Sequence, residues 1–522
     1  VTPTRFVAAV WFGLTVALFG FVVRYGNNAP MWEEWLDVAA LYGEADRLDW
    51  VFGRLLQHRY ILGRAAMLGL FHATGHDFRA GLFVSVSLLS LASALALVTL
   101  RQVRGRTHAV DAVAPALLMN PGGWENLFLG YQMHFTIDVF LVALVLRCVA
   151  LADLRPPAVT AWRVAGLTPL LALGGWVGLA FVPGLTAWVA LLVTRGRWRD
   201  RLALLPPLAA CVYFAWAYLD VRAHPVPGQA KNDWPDQLRV AGEFLGMAVG
   251  NFGESLAPMA GIVAACGLLV LTGRLLWLLG HHGQRPFAAG GLAVVLAVAL
   301  MAYGTGQYRP FGYAVRNVPL LAFLPLLGLF AAVKFCRPRS DTAMTLAALT
   351  LAVALQADGW FEACRHARYH RDRVEAFAGD RDAGRPLRFL VSRHGLYACP
   401  ELFPATRILR DHGHRFARNV VDGPPLVAVP VAARDGRVTL PEPRFVAGVR
   451  VVLHYPNATE RFEVEVAWDG PADAGCSVCH PWLTPGDWTL DFPVGTTVNG
   501  FTVRPLADRD PFELLSVELL VR

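Results

Sequence analysis

Apolar runs long enough to cross a bilayer recur through the first two-thirds of the chain, and nothing else in the sequence constrains the fold as strongly. Inside hydrocarbon every backbone amide and carbonyl must find its partner within the protein, so such runs fold as helices. Eleven spans can be read: 6–23, 79–100, 109–120, 135–150, 162–174, 177–194, 202–219, 255–276, 287–304, 317–335 and 342–357. The runs at 109–120 and 162–174 are the shortest. A hydrophobic content of 55%, a charged content of 17% and a mean hydropathy of +0.42 fit an integral membrane protein with a soluble part.

Basic residues set an orientation. With the N-terminus in the cytoplasm, the segments 101–108, 147–163, 195–201, 281–285 and 334–339 face inward, and each carries Arg or Lys. The segments 24–78, 120–134, 220–254, 305–316 and everything after 357 then face outward and hold most of the acids. The net charge of +7 therefore records anchoring at the inner surface, and no basic cluster with interleaved aromatics suggests nucleic acid. Lys231 and Lys334 are the only lysines, which points to a GC-rich bacterial genome and so to the bacterial inner membrane. Residues 6–23 lack a small-residue cleavage site before Arg24 and read as an uncleaved first span.

Directly after that span, residues 30–37 read PMWEEWLD. Ionisable groups at the mouth of a membrane segment are costly, and they are a functional hypothesis by default. On a helix, the i,i+4 spacing puts Glu33 and Asp37 on one face while Trp32 and Trp35 turn elsewhere. Such carboxylates can take a proton from a hydroxyl or hold a divalent cation; a solvated helix lying on the membrane is the plainer alternative. Further along the same outer segment, His58, Arg59 and Arg64 mark the polar positions of an apolar stretch. The two arginines suit a phosphate, or else snorkel to lipid headgroups.

Two more outward segments carry chemistry. In residues 120–134 (NPGGWENLFLGYQMH) a Pro-Gly-Gly turn ends one span, and Glu125, Asn126, Gln132 and His134 then enter an apolar run, with Asp138 four residues on. Amides and hydroxyl-bearing aromatics at a cavity mouth suit sugar hydroxyls; hydrogen bonding between helices is the alternative, above all for Asp138. In residues 303–317 (YGTGQYRPFGYAVRN) Arg309 and Arg316 stand seven apart on the side where arginine is uncommon, which favours a ligand role with an anionic lipid phosphate. Residues 221–254, with Lys231, Asp233, Trp234 and Asp236, read as a lid.

Past residue 357 the composition changes. Residues 359–379 read as an amphipathic helix leaving the membrane, 386–392 as a strand and 401–412 as a helix, making a linker over 358–424. From 425 to 522 short alternating runs separated by turn residues indicate an antiparallel β-sandwich or jelly roll. Cys364, Cys399, Cys476 and Cys479 lie on the outer side, where disulfides form. Cys476–Cys479–His480 matches the C-x-x-C-H haem signature in letters, but its Gly/Pro-rich loop between strands is the wrong setting. The expectation is no haem, and a Cys476–Cys479 disulfide, a Cys364–Cys399 pair or free thiols.

The sequence MWEEW, then QHR, then GGWENLFLGYQ, then RPFGYAVRN, across residues 1–357, resembles an uncharacterised bacterial branch of the GT-C glycosyltransferase superfamily. That resemblance implies a GT-C-like domain over 1–357, with the outer segment 24–78 carrying juxtamembrane helices and the β domain outside the cytoplasm. It implies transfer of a sugar from a polyprenyl-phosphate donor to a glycan, lipid or protein acceptor of the cell envelope, on the extracytoplasmic face. The family's acid after the first span falls on Glu33 or Glu34, with Asp37 in support, as general base or, in metal-dependent members, as ligand to Mg or Mn. Its phosphate-binding arginine falls on Arg309 or Arg316, with Arg59 as the other choice, and a second acid on Glu125. The family's usual Asp or Asp-Glu is Glu-Glu here, which leaves open which glutamate acts. Two other readings share these residues: a transporter or flippase for lipid-linked glycans, and a non-catalytic scaffold binding glycan or lipid.

Overall fold

The computed structural model describes residues 2–54, 59–194, 196–223, 232–250, 253–309, 312–335, 342–385, 387, 390, 402–421, 427–434, 436–455, 464–469, 475–479, 486–505 and 513–521. Its α-helices begin with α1 (Pro3–Tyr25), α2 (Glu34–Tyr42), α3 (Arg47–Phe52), α4 (Ile61–Ala73), α5 (Ala80–Arg104), α6 (Val113–Leu118) and α7 (Glu125–Phe128). They continue with α8 (Met133–Ala150), α9 (Pro157–Gly174), α10 (Trp176–Val193), α11 (Trp198–Arg201), α12 (Leu205–Ala223), α13 (Trp234–Gly246) and α14 (Gly253–Leu279). The last are α15 (Arg285–Tyr308), α16 (Val318–Leu321), α17 (Phe323–Phe335), α18 (Thr342–Asp382) and α19 (Leu402–Asp411). Six strands complete the described chain: β1 (Val427–Val431), β2 (Arg437–Tyr455), β3 (Val464–Asp469), β4 (Gly475–Cys479), β5 (Gly486–Pro505) and β6 (Glu513–Val521).

The chain is a polytopic helical membrane protein with a C-terminal β region. Nine helical segments among the described residues are long and apolar enough to span a bilayer, against the eleven expected. Both differences have a local cause. Helix α9 reaches 18 residues, but Arg163, Thr160, Thr168, Pro157 and Pro169 dilute its apolar character. It folds back on α10 through a break at Gly175, whose φ of +125° suits a glycine.

Residues 109–120 form a 3₁₀ turn (Ala109–Ala112) and the six-residue α6, each too short to span. The segment instead climbs beside α1 in pieces. Asp111 pairs with Arg104 at the end of α5 (2.6 Å), Met119 Sδ lies 3.7 Å from Thr15 Oγ1, and the Phe128 ring meets Phe21 edge-on at 5.4 Å. Irregular backbone survives at membrane depth only when protein encloses it. Residues 114–134 are accordingly buried without interruption, so 120–134 is enclosed by protein and is not a solvent-exposed loop.

Two compact units divide the chain: Val1–Asn28, Arg47–His224 and Lys231–Arg368 in one, and Ala29–Asp46, Pro225–Ala230 and Tyr369–Arg522 in the other. The acidic segment after α1 thus groups with the C-terminal residues. Helix α18 runs for 41 residues through position 357 without a break, about 60 Å at 1.5 Å per residue. The expected helix at 401–412 is α19, whereas the strand expected at 386–392 lies mostly outside the described residues.

Among the described residues the β region is a six-stranded antiparallel sheet, in the order β1-β6-β2-β5-β3-β4, with all six strands joined by hydrogen bonds. Pairs of expected short strands merge into β2 and β5 of 19 and 20 residues, whose register shifts at Thr439/Arg444 and Val446/Gly448. Each extra residue flips the face taken by the residues beyond it. Val438 and Val446 are buried at even positions, Val449, Val451 and Leu453 at odd ones, and β5 switches the same way between Val498 and Phe501. Glu465 and Arg504 face each other across β3 and β5 as an ion pair. Strand β4 holds Cys476 and Cys479 three residues apart in extended backbone, a Cα separation of about 10 Å. The side chains of these two lie outside what the structure describes. Cys364 is a free thiol, and Cys399 lies outside the described residues.

Candidate functional site

In the C-terminal unit, α2 begins at a strained turn. Trp32 has φ +50°, a left-handed backbone that costs a bulky residue roughly 1–3 kcal/mol and persists only where its surroundings fix it. Its ring meets His370 edge-on at 6.1 Å. Glu34 closes the turn in both directions: its Oε2 accepts the Met31 amide at 2.7 Å, and its own amide donates to the Met31 carbonyl at 3.0 Å. Its charge also sits at the positive end of the helix.

Helix α2 starts one residue later than the i,i+4 reading assumes. Glu33 occupies the cap position and is half-buried, while Glu34 and Asp37 are buried on the face that also holds Trp35, Val38 and Leu41. With most of its residues buried, α2 is not a solvated surface helix. Trp35 packs on Phe416 (6.0 Å), which stacks on Phe377 (4.6 Å). At the far end the Tyr42 ring lies 4.7 Å from that of His412, whose Nε2 is 3.2 Å from Glu44 Oε1. Burial pushes the Tyr42 phenol up to about 12.

Among the described residues no group of three His, Cys, Asp or Glu side chains is brought together, and one Glu34 oxygen already serves an amide.

In the helical unit the buried segment gathers four of the polar residues read from the sequence. Glu125 Oε2 pairs with Arg316 Nη1 at 2.9 Å, and Asn126 Nδ2 donates to the Arg316 carbonyl at 2.9 Å. The Arg316 guanidinium stands 5.7 Å from the Phe135 ring. Gln132 Nε2 donates to the Tyr131 hydroxyl at 2.9 Å. His134 Nδ1 lies 2.7 Å from the Tyr131 carbonyl, so Nδ1 carries the proton and Nε2 presents a lone pair. Tyr60 (3.9 Å) and Phe135 (4.3 Å) hold the imidazole by ring contact. Each of these nitrogens but His134 Nε2 thus has a partner, and the atoms left over are acceptors. Asn126 Oδ1, Gln132 Oε1, His134 Nε2 and both Asp138 oxygens have no hydrogen-bond partner among the described residues.

The remaining candidates lie apart from that cluster or serve the scaffold. Arg64 Nη1 donates to the Trp50 carbonyl (2.5 Å) and the Gly53 carbonyl (3.2 Å), pinning the turn after α3. Arg59 and Arg54 share Asp220 at 3.1 and 3.4 Å, with Arg59 4.5 Å from the Trp216 ring. Arg309 is half-buried, and its carbonyl accepts Asn232 Nδ2 at 2.6 Å. The expected lid is in part the helix α13, capped by Asp233, which accepts the Asp236 amide at 3.0 Å. His58 and Lys231 lie outside the described residues. Sequence reading passed over Tyr60, Trp216 and Asp220; an acid inside an apolar helix, in a chain rich in outward arginines, was the available signal for the last.

No protein-family model and no curated protein matches the chain. Among solved structures it is similar to the arabinosyltransferase EmbB from Mycobacterium smegmatis, at 14% identity and a TM-score of 0.28, over 100% of this chain and 65% of that one. So distant a superposition carries no argument for activity.

Proposed function

We propose that the chain is a GT-C-type membrane glycosyltransferase that moves a sugar from a polyprenyl-phosphate donor to a cell-envelope acceptor on the extracytoplasmic face, with Glu33 as general base. The observation that carries this reading is the strained turn at Trp32. Glu34 is spent on the Met31 amide and is fully buried, whereas Glu33 sits half-buried at the mouth of the same helix. A base must reach the proton it removes, and of the two glutamates only Glu33 has that access. The sequence resemblance supports the assignment, since it puts the family's acid at this position. A second support is the three unpartnered acceptors Asn126 Oδ1, Gln132 Oε1 and His134 Nε2 in the helical unit, whose complement is a ligand rich in hydroxyl donors, as a sugar is. An odd number of spans, nine or eleven, keeps the two ends on opposite faces, with the N-terminus cytoplasmic by the arginine pattern.

Glu33 takes the proton of the acceptor hydroxyl as its oxygen attacks the anomeric carbon. The bond from that carbon to the phosphate oxygen breaks, and the lipid phosphate leaves with the electron pair, inverting the centre. Phosphate is a good leaving group, so the protein supplies mainly positioning and charge stabilisation. By the resemblance, an arginine meets the leaving charge, and that role falls to Arg309 or Arg316, with Arg59 as the other choice.

Membranes carrying the wild type are expected to incorporate label from polyprenyl-phosphate sugars, and membranes with Glu33 and Glu34 both changed to Gln are not. If the double variant still moves lipid-linked glycan across the membrane and the wild type shows no transfer, the transporter reading replaces this one.

A further inference from the structure

Asp138 plays no part in the proposed reaction, yet it is the most anomalous side chain of the helical unit. It lies on α8, 1% exposed, inside a segment apolar enough to span the membrane. Neither carboxyl oxygen makes a hydrogen bond among the described residues. An unpaired carboxylate in such a place is among the costliest arrangements a protein can hold, and burial of this kind is answered by a counter-charge or by a proton.

The surroundings decide between the two. Oδ1 presses on the end of α9 so closely that a Cβ on Gly174 would lie 1.9 Å from it. The backbone amide of Gly178, in the first turn of α10, is the polar group that approaches the carboxyl. No third His, Cys, Asp or Glu joins Asp138 in a metal-sized group among the described residues. His134, one turn earlier on α8, spends its Nδ1–H on the Tyr131 carbonyl. A cation therefore lacks room on the Gly174 side and a further His, Cys, Asp or Glu pair among the described residues.

The α9–α10 junction offers what a neutral acid needs. A helix leaves its last four carbonyls and its first four amides without partners inside the helix. At Gly175 no capping amide closes α9, and no capping side chain serves α10. The two helices meet too tightly for capping residues of their own: a Cβ on Gly178 would lie 1.8 Å from the Leu171 carbonyl oxygen. A carboxylic acid has one donor and one acceptor, which matches one orphan carbonyl of α9 and one orphan amide of α10. A carboxylate has only acceptors and would face the negative end of α9.

We propose that Asp138 is a proton-binding site, a neutral carboxylic acid at neutral pH that caps the α9–α10 junction from α8. Its O–H is available to the orphan carbonyls of the last turn of α9, and its other oxygen to the orphan amides of the first turn of α10. This stands whether or not the protein transfers sugar.

Infrared difference spectroscopy of the full chain in membranes, wild type minus Asp138→Asn at neutral pH, tests it directly. The carbonyl stretch of a protonated carboxyl, shifting on exchange into heavy water, is expected; carboxylate bands in its place would overturn the proposal. Thermal unfolding in detergent gives a second readout. Asn keeps one donor and one acceptor, so Asp138→Asn should hold its midpoint while Asp138→Ala falls by a few degrees. An Ala variant at least as stable as the Asn variant would contradict the cap.

Discussion

Residues 31–37 and residues 120–138 both carry carboxylates into the protein interior, and they differ in what meets the charge. In the first segment the chain answers with its own backbone: Glu34 takes the amide of Met31, three residues before it, across a turn held at an unfavourable Trp32 conformation. In the second the partners come from far along the sequence. Glu125 meets Arg316, and Asn120 reaches the Leu355 carbonyl at 3.2 Å. Local closure fixes a turn and leaves a neighbouring carboxylate accessible. Distant closure ties a broken span into the helix bundle and leaves acceptors over. A reactive group belongs with the first arrangement, and a binding surface with the second.

Breaking the distant closure should have the larger effect on stability. Removing one member of a half-buried ion pair strands the other, so Arg316→Ala is expected to lower the stability of the helical unit by about 2 kcal/mol. Glu125→Gln, which can still accept a hydrogen bond from the guanidinium, should lose less. Thermal unfolding of both variants in detergent checks the order, and the reverse order would mean that Arg316 gains more from release than from pairing.

The smallest effect concerns the far end of α2. With its phenol pushed up to about 12 from 10.0, folded Tyr42 holds its proton where the unfolded chain has lost it. Stability is then fully present below pH 10 and falls as pH rises from 10 to 12, by at most about 3 kcal/mol over that window. Tyr42→Phe should flatten the alkaline loss, as read from the unfolding midpoint against pH. An unchanged slope would show that the phenol is not what the buried end of α2 protects.

Much of this fold was legible because its signals are local. Hydropathy gives the long helices, since the bilayer allows almost nothing else, and alternation gives the strands. Three features were not legible, each because it depends on distant partners. The apolar run 109–120 reads as a span, yet its Pro115 and the Pro-Gly-Gly turn at 121–123 break it, and only protein on all sides makes that break tolerable. Strands β2 and β5 read as separate short runs because the bulges flip the buried face within each strand. In the candidate site the acids were visible as a cluster, but their division of labour was not. That division depends on where α2 starts, and Trp32 sets the start through a backbone conformation that a tryptophan gives no reason to expect.

The most direct test of the division between the two glutamates is the single-turnover rate of sugar transfer by Glu33→Gln and Glu34→Gln, each compared with the wild type at equal amounts of folded protein. Loss of a general base costs about 100-fold or more, so Glu33→Gln is expected to fall that far. Glu34→Gln can still accept the Met31 amide through its carbonyl oxygen and should stay within about tenfold, a difference of about 1.4 kcal/mol. A Glu33→Gln enzyme that turns over normally while Glu34→Gln is inactive would contradict the account.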